Sequence, residues 1–212
     1  HGVFRRQRQM CIRDSSMGSP KYHVAPMVDQ SELAFRELCR RHGATCAYTP
    51  MIHARLFVED LKYRKEIFTT HINDRPLLVQ FCANDPDMLL AAASIVAPHC
   101  DGVDINFGCP QRIAKRGRYG AFLMDDWTTV HDLIHKLDQN LSVPVTAKIR
   151  VYDDLETSVK YAKMVEAAGA TRAAEGASED SCGPPVAARP ARRVQLITPP
   201  PKEEDGPPPA KG

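Results

Sequence analysis

A chain of 212 residues with 43% hydrophobic residues, one Trp and a formal net charge of +2 has the composition of one globular domain, or one domain with a tail. The small net charge excludes a global basic field, so a nucleic-acid partner would have to be met by a local patch. No apolar run approaches the roughly eighteen residues of a membrane helix, and the basic first residues lack the apolar core of a secretory signal. Seven cysteines, at 11, 39, 46, 82, 100, 109 and 182, form no Cys-x-x-Cys pair and no Cys/His cluster of zinc spacing. No structural metal is therefore expected, and an odd number of thiols without a secretory signal points to the cytoplasm or nucleus.

Residues 1–17 begin basic, with Arg5, Arg6 and Arg8, and show neither periodicity nor turn logic. They read as a disordered or non-native leader. From Tyr22 a repeating alternation starts. Tyr22 to Met27 is a short strand, and Ser31 caps a helix whose Ala34, Phe35, Leu38 and Cys39 share one face before Gly43 closes it. Thr45 to Thr49 is a second strand, followed by a polar segment, His53 to Arg75, with a helical turn or two. Leu77 to Cys82 is a nearly continuous apolar run, the pattern of a strand covered on both faces.

Asp85-Pro86 starts a helix with proline in its first turn, and Met88, Leu89, Ala92, Ala93 and Val96 form its buried stripe. Val103, Ile105 and Phe107 then alternate with Asp104 and Asn106, a strand that Gly108-Cys109-Pro110 stops. A basic loop, Gln111 to Gly120, follows. A helix from about Asp126 carries Val130, Leu133, Ile134 and Leu137; Val143 to Arg150 is a fifth strand, and a last helix runs from about Glu156 to Ala168.

Five strands separated mostly by helices imply a parallel α/β sheet. Special residues gather at the strands' carboxyl ends, which is how a (β/α)8 TIM barrel is organised. A flavodoxin-like or Rossmann sheet is the runner-up, although no Gly-x-Gly-x-x-Gly follows the first strand. Residues 171–212 hold nine of the 17 prolines and no aromatic residue, and read as a disordered tail.

Several side chains in this pattern suit chemistry. Cys109, on a turn after a strand, is either a buried hydrophobe or a reactive thiol. A nucleophile would want a histidine base within reach, whereas a proton donor needs none, since a thiol with a pKa of about 8.5 is protonated near neutrality. Lys148, inside an apolar strand, either snorkels to the rim, meets an anionic ligand or serves as a Schiff-base amine. Gln80 is either a satisfied core amide or a reader of a planar heterocycle's edge. Arg112, Lys115, Arg116 and Arg118 are either a solvated face or a phosphate-contacting rim.

Five stretches together resemble the tRNA-dihydrouridine synthases, flavin-dependent (β/α)8 enzymes. They are Ala25-Pro-Met-Val-Asp-Gln-Ser-Glu-Leu-Ala-Phe-Arg36, Tyr48-Thr-Pro-Met51, Val79-Gln-Phe-Cys-Ala-Asn-Asp-Pro86, Asp104-Ile-Asn-Phe-Gly-Cys-Pro110 and Ala147-Lys-Ile-Arg150. The likeness covers roughly 18–170 and is best for eukaryotic members acting at positions 16 and 17 of the tRNA D-loop. It implies FMN as cofactor, NAD(P)H as electron donor and tRNA as substrate. By the same resemblance Pro26, Met27 and Val28 lie against the flavin ring, Gln80 and Lys148 hydrogen-bond its edge, and Asn106 positions the uracil. Arg150 sits near the interface of flavin and substrate, Lys115 and Arg116 touch the RNA backbone, and Cys109 protonates C5 after hydride reaches C6.

The sequence departs from the family after Ala170. The His-Gly-Arg motif, the glycine-rich phosphate site of later strands and the helical domain that helps grip tRNA are not found. About five of eight barrel strands are expected, so the barrel would not close on itself and FMN would bind weakly or not at all. The alternative expectation is thus a catalytically inactive fragment, at most tRNA-binding. Oligomeric state is left open.

Overall fold

A computed structural model of the chain describes Met17 and residues 20–170. The leader expected before Met17 and the tail expected over 171–212 lie outside the described residues.

Among the described residues six strands form one parallel sheet: β1 (His23–Val24), β2 (Cys46–Tyr48), β3 (Ile52–His53), β4 (Leu77–Cys82), β5 (Gly102–Asn106) and β6 (Val145–Lys148). The order is β1-β2-β4-β5-β6, with the two-residue β3 pairing alongside the end of β4. Strands therefore add in chain order, always in the same direction. A doubly wound sheet reverses its order at a switch point, and this one does not. The architecture is the TIM-barrel type, built as a parallel half-barrel whose edge strands among the described residues are β1 and β6.

The helices are α1 (Leu33–Arg41), α2 (Ala54–Glu59), α3 (Leu61–Ile67), α4 (Pro86–Val96), α5 (Arg112–Gly117), α6 (Trp127–Asn140) and α7 (Leu155–Ala167). Aspartates start four of them. Asp60, Asp85, Asp126 and Asp154 each accept backbone N–H groups of the first turn, a cap worth about 1 kcal/mol. The stripe of α6 is buried as its spacing predicts: Val130, Leu133, Ile134 and Leu137 are all fully covered.

Strand periodicity divides the interior in two. Leu77, Val79 and Phe81, Val103 and Ile105, and Val145 and Ala147 pack with α2, α4, α6 and α7 in the main core. Alternate residues face away from the helices, because successive side chains of a strand point to opposite sides. On that face Leu78 packs with Met17, Cys46 and Tyr48. Register then aligns Gln80 with Asp104 and Asp104 with Thr146, one polar row across three strands, and pairs Asn106 with Lys148 one step further on.

Three local expectations are corrected. Ser31 does not cap α1; its hydroxyl exchanges hydrogen bonds with the backbone of Met27, and Glu32 stands at the N-cap without a side-chain bond. The predicted apolar face of α1 is not buried either. Phe35 is 38% and Leu38 50% exposed, whereas Arg36 is 1% exposed. The reason is Asp74: Arg36 donates to its carboxylate at 2.7 and 3.0 Å and Arg40 at 3.1 Å, which turns the basic edge of the helix inward. Phe35 and Cys39 instead line an open groove beside Tyr22 and Val24 at the β1 edge. Third, the basic stretch after Cys109 is a short helix, α5, closed by Arg118 in the left-handed region at φ 50°.

Candidate active site

At the carboxyl ends of β4, β5 and β6 lies a depression of about 210 Å³. It is lined by Pro26, Val28, Met51, Gln80, Asn106, Gly108, Cys109, Pro110, Gln111, Lys148 and Arg150. Seven of the ten residues singled out from the sequence meet there: Pro26, Val28, Gln80, Asn106, Cys109, Lys148 and Arg150. Three do not. Met27 lines the groove between β1 and α1, and Lys115 and Arg116 are exposed on α5.

A continuous set of hydrogen bonds runs under the pocket. Thr146 Oγ1 donates to Asp104 Oδ1 at 2.5 Å, and Gln80 Nε2 donates to Asp104 Oδ2 at 2.7 Å. Asn106 Nδ2 donates to Gln80 Oε1 at 2.9 Å. Asn106 Oδ1 in turn accepts the backbone N–H groups of Gly108 at 3.0 Å and Cys109 at 2.9 Å. Gln80 is fully buried, so both ends of its amide are engaged inside the chain; one N–H and one lone pair remain for a further partner.

The Cys109 turn is gripped from its other side as well. Its carbonyl accepts the Ala121 N–H at 3.0 Å. Gly120, at φ +65°, lies so close that a Cβ there would stand 2.7 Å from the Cys109 carbonyl oxygen. Arg150 donates to the Gly108 carbonyl at 3.2 and 3.3 Å. Cys109 itself is half-buried, and no histidine lines the pocket. Among the described residues, then, no imidazole shares the pocket with this thiol.

Burial dominates the electrostatics. It pushes the Asp104 carboxyl up to about 6, against the opposing pull of Gln80, Thr146 and the Lys148 charge. Burial likewise lowers the Lys148 ammonium from the usual lysine range; Asp104 opposes that shift and Arg150 adds to it. The Lys148 ammonium makes no hydrogen bond or ion pair among the described residues, so a cation faces the pocket uncommitted. Beside the turn, desolvation lifts the Cys82 thiol to about 12, with Cys109 adding to the effect.

The family model described as "Dihydrouridine synthase (Dus)" matches residues 23–174. The chain belongs to the dihydrouridine synthase family. It is 60% identical over 157 residues to the tRNA-dihydrouridine(16/17) synthase of Saccharomyces cerevisiae, covering 73% of this chain and 37% of the yeast protein. The Schizosaccharomyces pombe protein of the same name is 52% identical over 159 residues, 74% of this chain and 40% of that one. A tRNA-dihydrouridine(16/17) synthase-like protein of Rattus norvegicus is 54% identical over 156 residues, 73% of this chain and 36% of the rat protein. The printed names of all three specify NAD(P). The chain spans well under half the length of these curated relatives.

Family membership agrees with the half-barrel and with the pocket's position at the carboxyl face. Four pocket features escaped the sequence reading. Asp104 and Thr146 sit in strands as isolated polar residues, and only the register shows that they meet. Met51 lines the pocket but was given no role; its place at the end of the Tyr48-Thr-Pro-Met51 stretch was the available signal. Gly120 carried none beyond being a glycine in a basic stretch. Among the described residues no group of three or more His, Cys, Asp or Glu side chains could hold a metal ion, and no helix is long and apolar enough to cross a membrane.

Proposed function

We propose that this chain serves the FMN-dependent reduction of uridine to 5,6-dihydrouridine in the D-loop of tRNA, with NAD(P)H as electron donor. The observation that carries the reading is the Cys109 turn, a half-buried thiol held by Asn106 beside an uncommitted lysine at the barrel's carboxyl face. The names of the yeast and rat relatives support it.

The residues present suit a flavin ring. Pro26, Val28 and Met51 offer apolar surface, and Lys148 offers an unpaired ammonium to an electron-rich edge. Bound FMN, once reduced, would supply the hydride for C6 of the uracil. Pro26 and Val28 would hold the ring's face, and Gln80 and Lys148 would meet its polar edge, whereas Met27 lies in the groove beside β1. Asn106 positions the base and Arg150 closes the side next to Gly108. Cys109 holds a proton on its sulfur and gives it to C5, so hydride and proton together saturate the C5–C6 bond; solvent then reprotonates the thiolate. The target base must leave its stack to enter such a pocket. Arg112, Lys115, Arg116 and Arg118 are exposed around α5 and would meet the RNA backbone.

A second reading is a chain that binds tRNA without reducing it, for which the exposed Arg112, Lys115, Arg116 and Arg118 around α5 would suffice. Incubating the purified chain with unmodified tRNA, FMN and NADPH separates the two. Mass spectrometry of nuclease digests should show uridine gaining two hydrogens in the D-loop; retained tRNA binding without that gain supports the second reading.

A further inference from the structure

Asp104 is fully buried beneath the pocket and takes no part in the chemistry just described. Its surroundings are specific. On β6, Thr146 donates to one carboxylate oxygen; on β4, Gln80 donates to the other. Lys148, also on β6, is the charged group acting on it, with Arg150 and Cys109 acting in turn on Lys148.

The direction of the amide relay follows from its two ends. An ionised carboxylate only accepts, so Gln80 must turn its NH2 toward Asp104 and its oxygen toward Asn106. Asn106 must then offer its NH2 to Gln80 and its oxygen to the N–H groups of Gly108 and Cys109, which only donate. A protonated carboxyl at 104 can donate instead. Gln80 is then free to turn over, which would aim the Asn106 NH2 at the N–H groups of the Cys109 turn. Two donors facing each other cannot bond, and the turn loses its cap.

We propose that Asp104 is a positioning residue, whose carboxylate fixes the polarity of the Gln80–Asn106 amide relay and thereby holds the turn that carries Cys109. Its relevance to catalysis rests on the proposed role of Cys109. The raised carboxyl pKa makes the proposal readable, because the group titrates within a range where the protein can be studied.

The test is NMR of the 15N-labelled 212-residue protein, following the Cys109 backbone amide and the side-chain amides of Gln80 and Asn106 from pH 5 to 8. The expected result is one shared inflection for all three, absent from the Trp127 indole, and lost in Asp104→Asn. Separate signals or doubled peaks for the Asn106 amide in Asp104→Asn also support the relay. Amide shifts that ignore pH, or an inflection that survives Asp104→Asn, would overturn it. Should Asp104→Asn fail to fold, Thr146→Val keeps the carboxylate and removes one donor to its charged form. That loss must move the inflection to higher pH, and an unmoved inflection rejects the proposal. None of these signals requires dihydrouridine to form, so the relay and the proposed reaction can fail separately.

Discussion

Asn106 caps the turn that carries Cys109, accepting the Cys109 backbone N–H on its side-chain oxygen at 2.9 Å. The residue that ends β5 thus also sets where the thiol points. Asn106→Ala would leave two part-buried N–H groups without this acceptor, at a cost of about 1–3 kcal/mol. A lower urea midpoint with an unchanged slope is the expected outcome, together with loss of dihydrouridine formation. An unchanged midpoint would mean that water replaces the cap.

Gly120 supports the same turn through its lack of a side chain. It holds φ +65°, and a Cβ would approach the Cys109 carbonyl oxygen to 2.7 Å, its Cβ to 3.0 Å and its nitrogen to 3.2 Å. All three belong to one short, doubly bonded turn that has little room to retreat. Gly120→Ala should cost about 1 kcal/mol from backbone conformation alone and more from displacing Cys109. Peptide-mapped alkylation should show Cys109 reacting at a changed rate while Cys39 does not.

The ion pair of Arg36 with Asp74 anchors α1. Both side chains are essentially fully buried, and Arg36 also donates to the Ser31 and Thr69 carbonyls. Asp74→Asn keeps the size but leaves a buried guanidinium without its counter-charge, a loss of about 3–5 kcal/mol. Such a loss is comparable to the whole stability of a small domain. Urea titration should show the variant largely unfolded or strongly destabilised; a wild-type midpoint would contradict the role given to this pair.

Asp104 makes a signed prediction about pH. Its carboxyl is raised from 3.8 to about 6 in the folded protein, so the folded state binds that proton more tightly than the unfolded one. The contribution to stability is therefore full below the unfolded value and is lost as pH rises through about 6. Its size is on the order of 3 kcal/mol. Subtracting Asp104→Asn from wild type in urea titrations should isolate a difference that falls between pH 4 and 6 and is flat above. A difference that rises over that window would reverse the sign.

How far the sequence alone reaches depends on the range of the interaction. Asp85, Asp126 and the stripe of α6 were legible because a cap or a helical face is written within a few residues. Leu77 to Cys82 was legible as a strand because six consecutive buried positions leave a nearly continuous apolar run. The orientation of α1 was not, since Arg36 turns inward for a carboxylate 38 residues away. The two-residue β3 is too short to leave a period. Asp104 read as the polar half of an alternating strand, and its partner Thr146 lies 42 residues on. The pocket was legible in its strand-end motifs, whereas the polar row beneath it exists only through the register of three strands.

In the proposed reaction the Cys109 sulfur delivers the proton to C5. Its most direct test compares the chain with Cys109→Ala at saturating FMN and NADPH, scoring dihydrouridine in tRNA and NADPH oxidation in the same reaction. Dihydrouridine is expected from the wild type and a loss of about 100-fold or more in the variant, as for removal of a general acid, with NADPH oxidation retained. Equal dihydrouridine from both proteins would contradict the role of Cys109, and none from either would contradict the assignment of the activity to this chain.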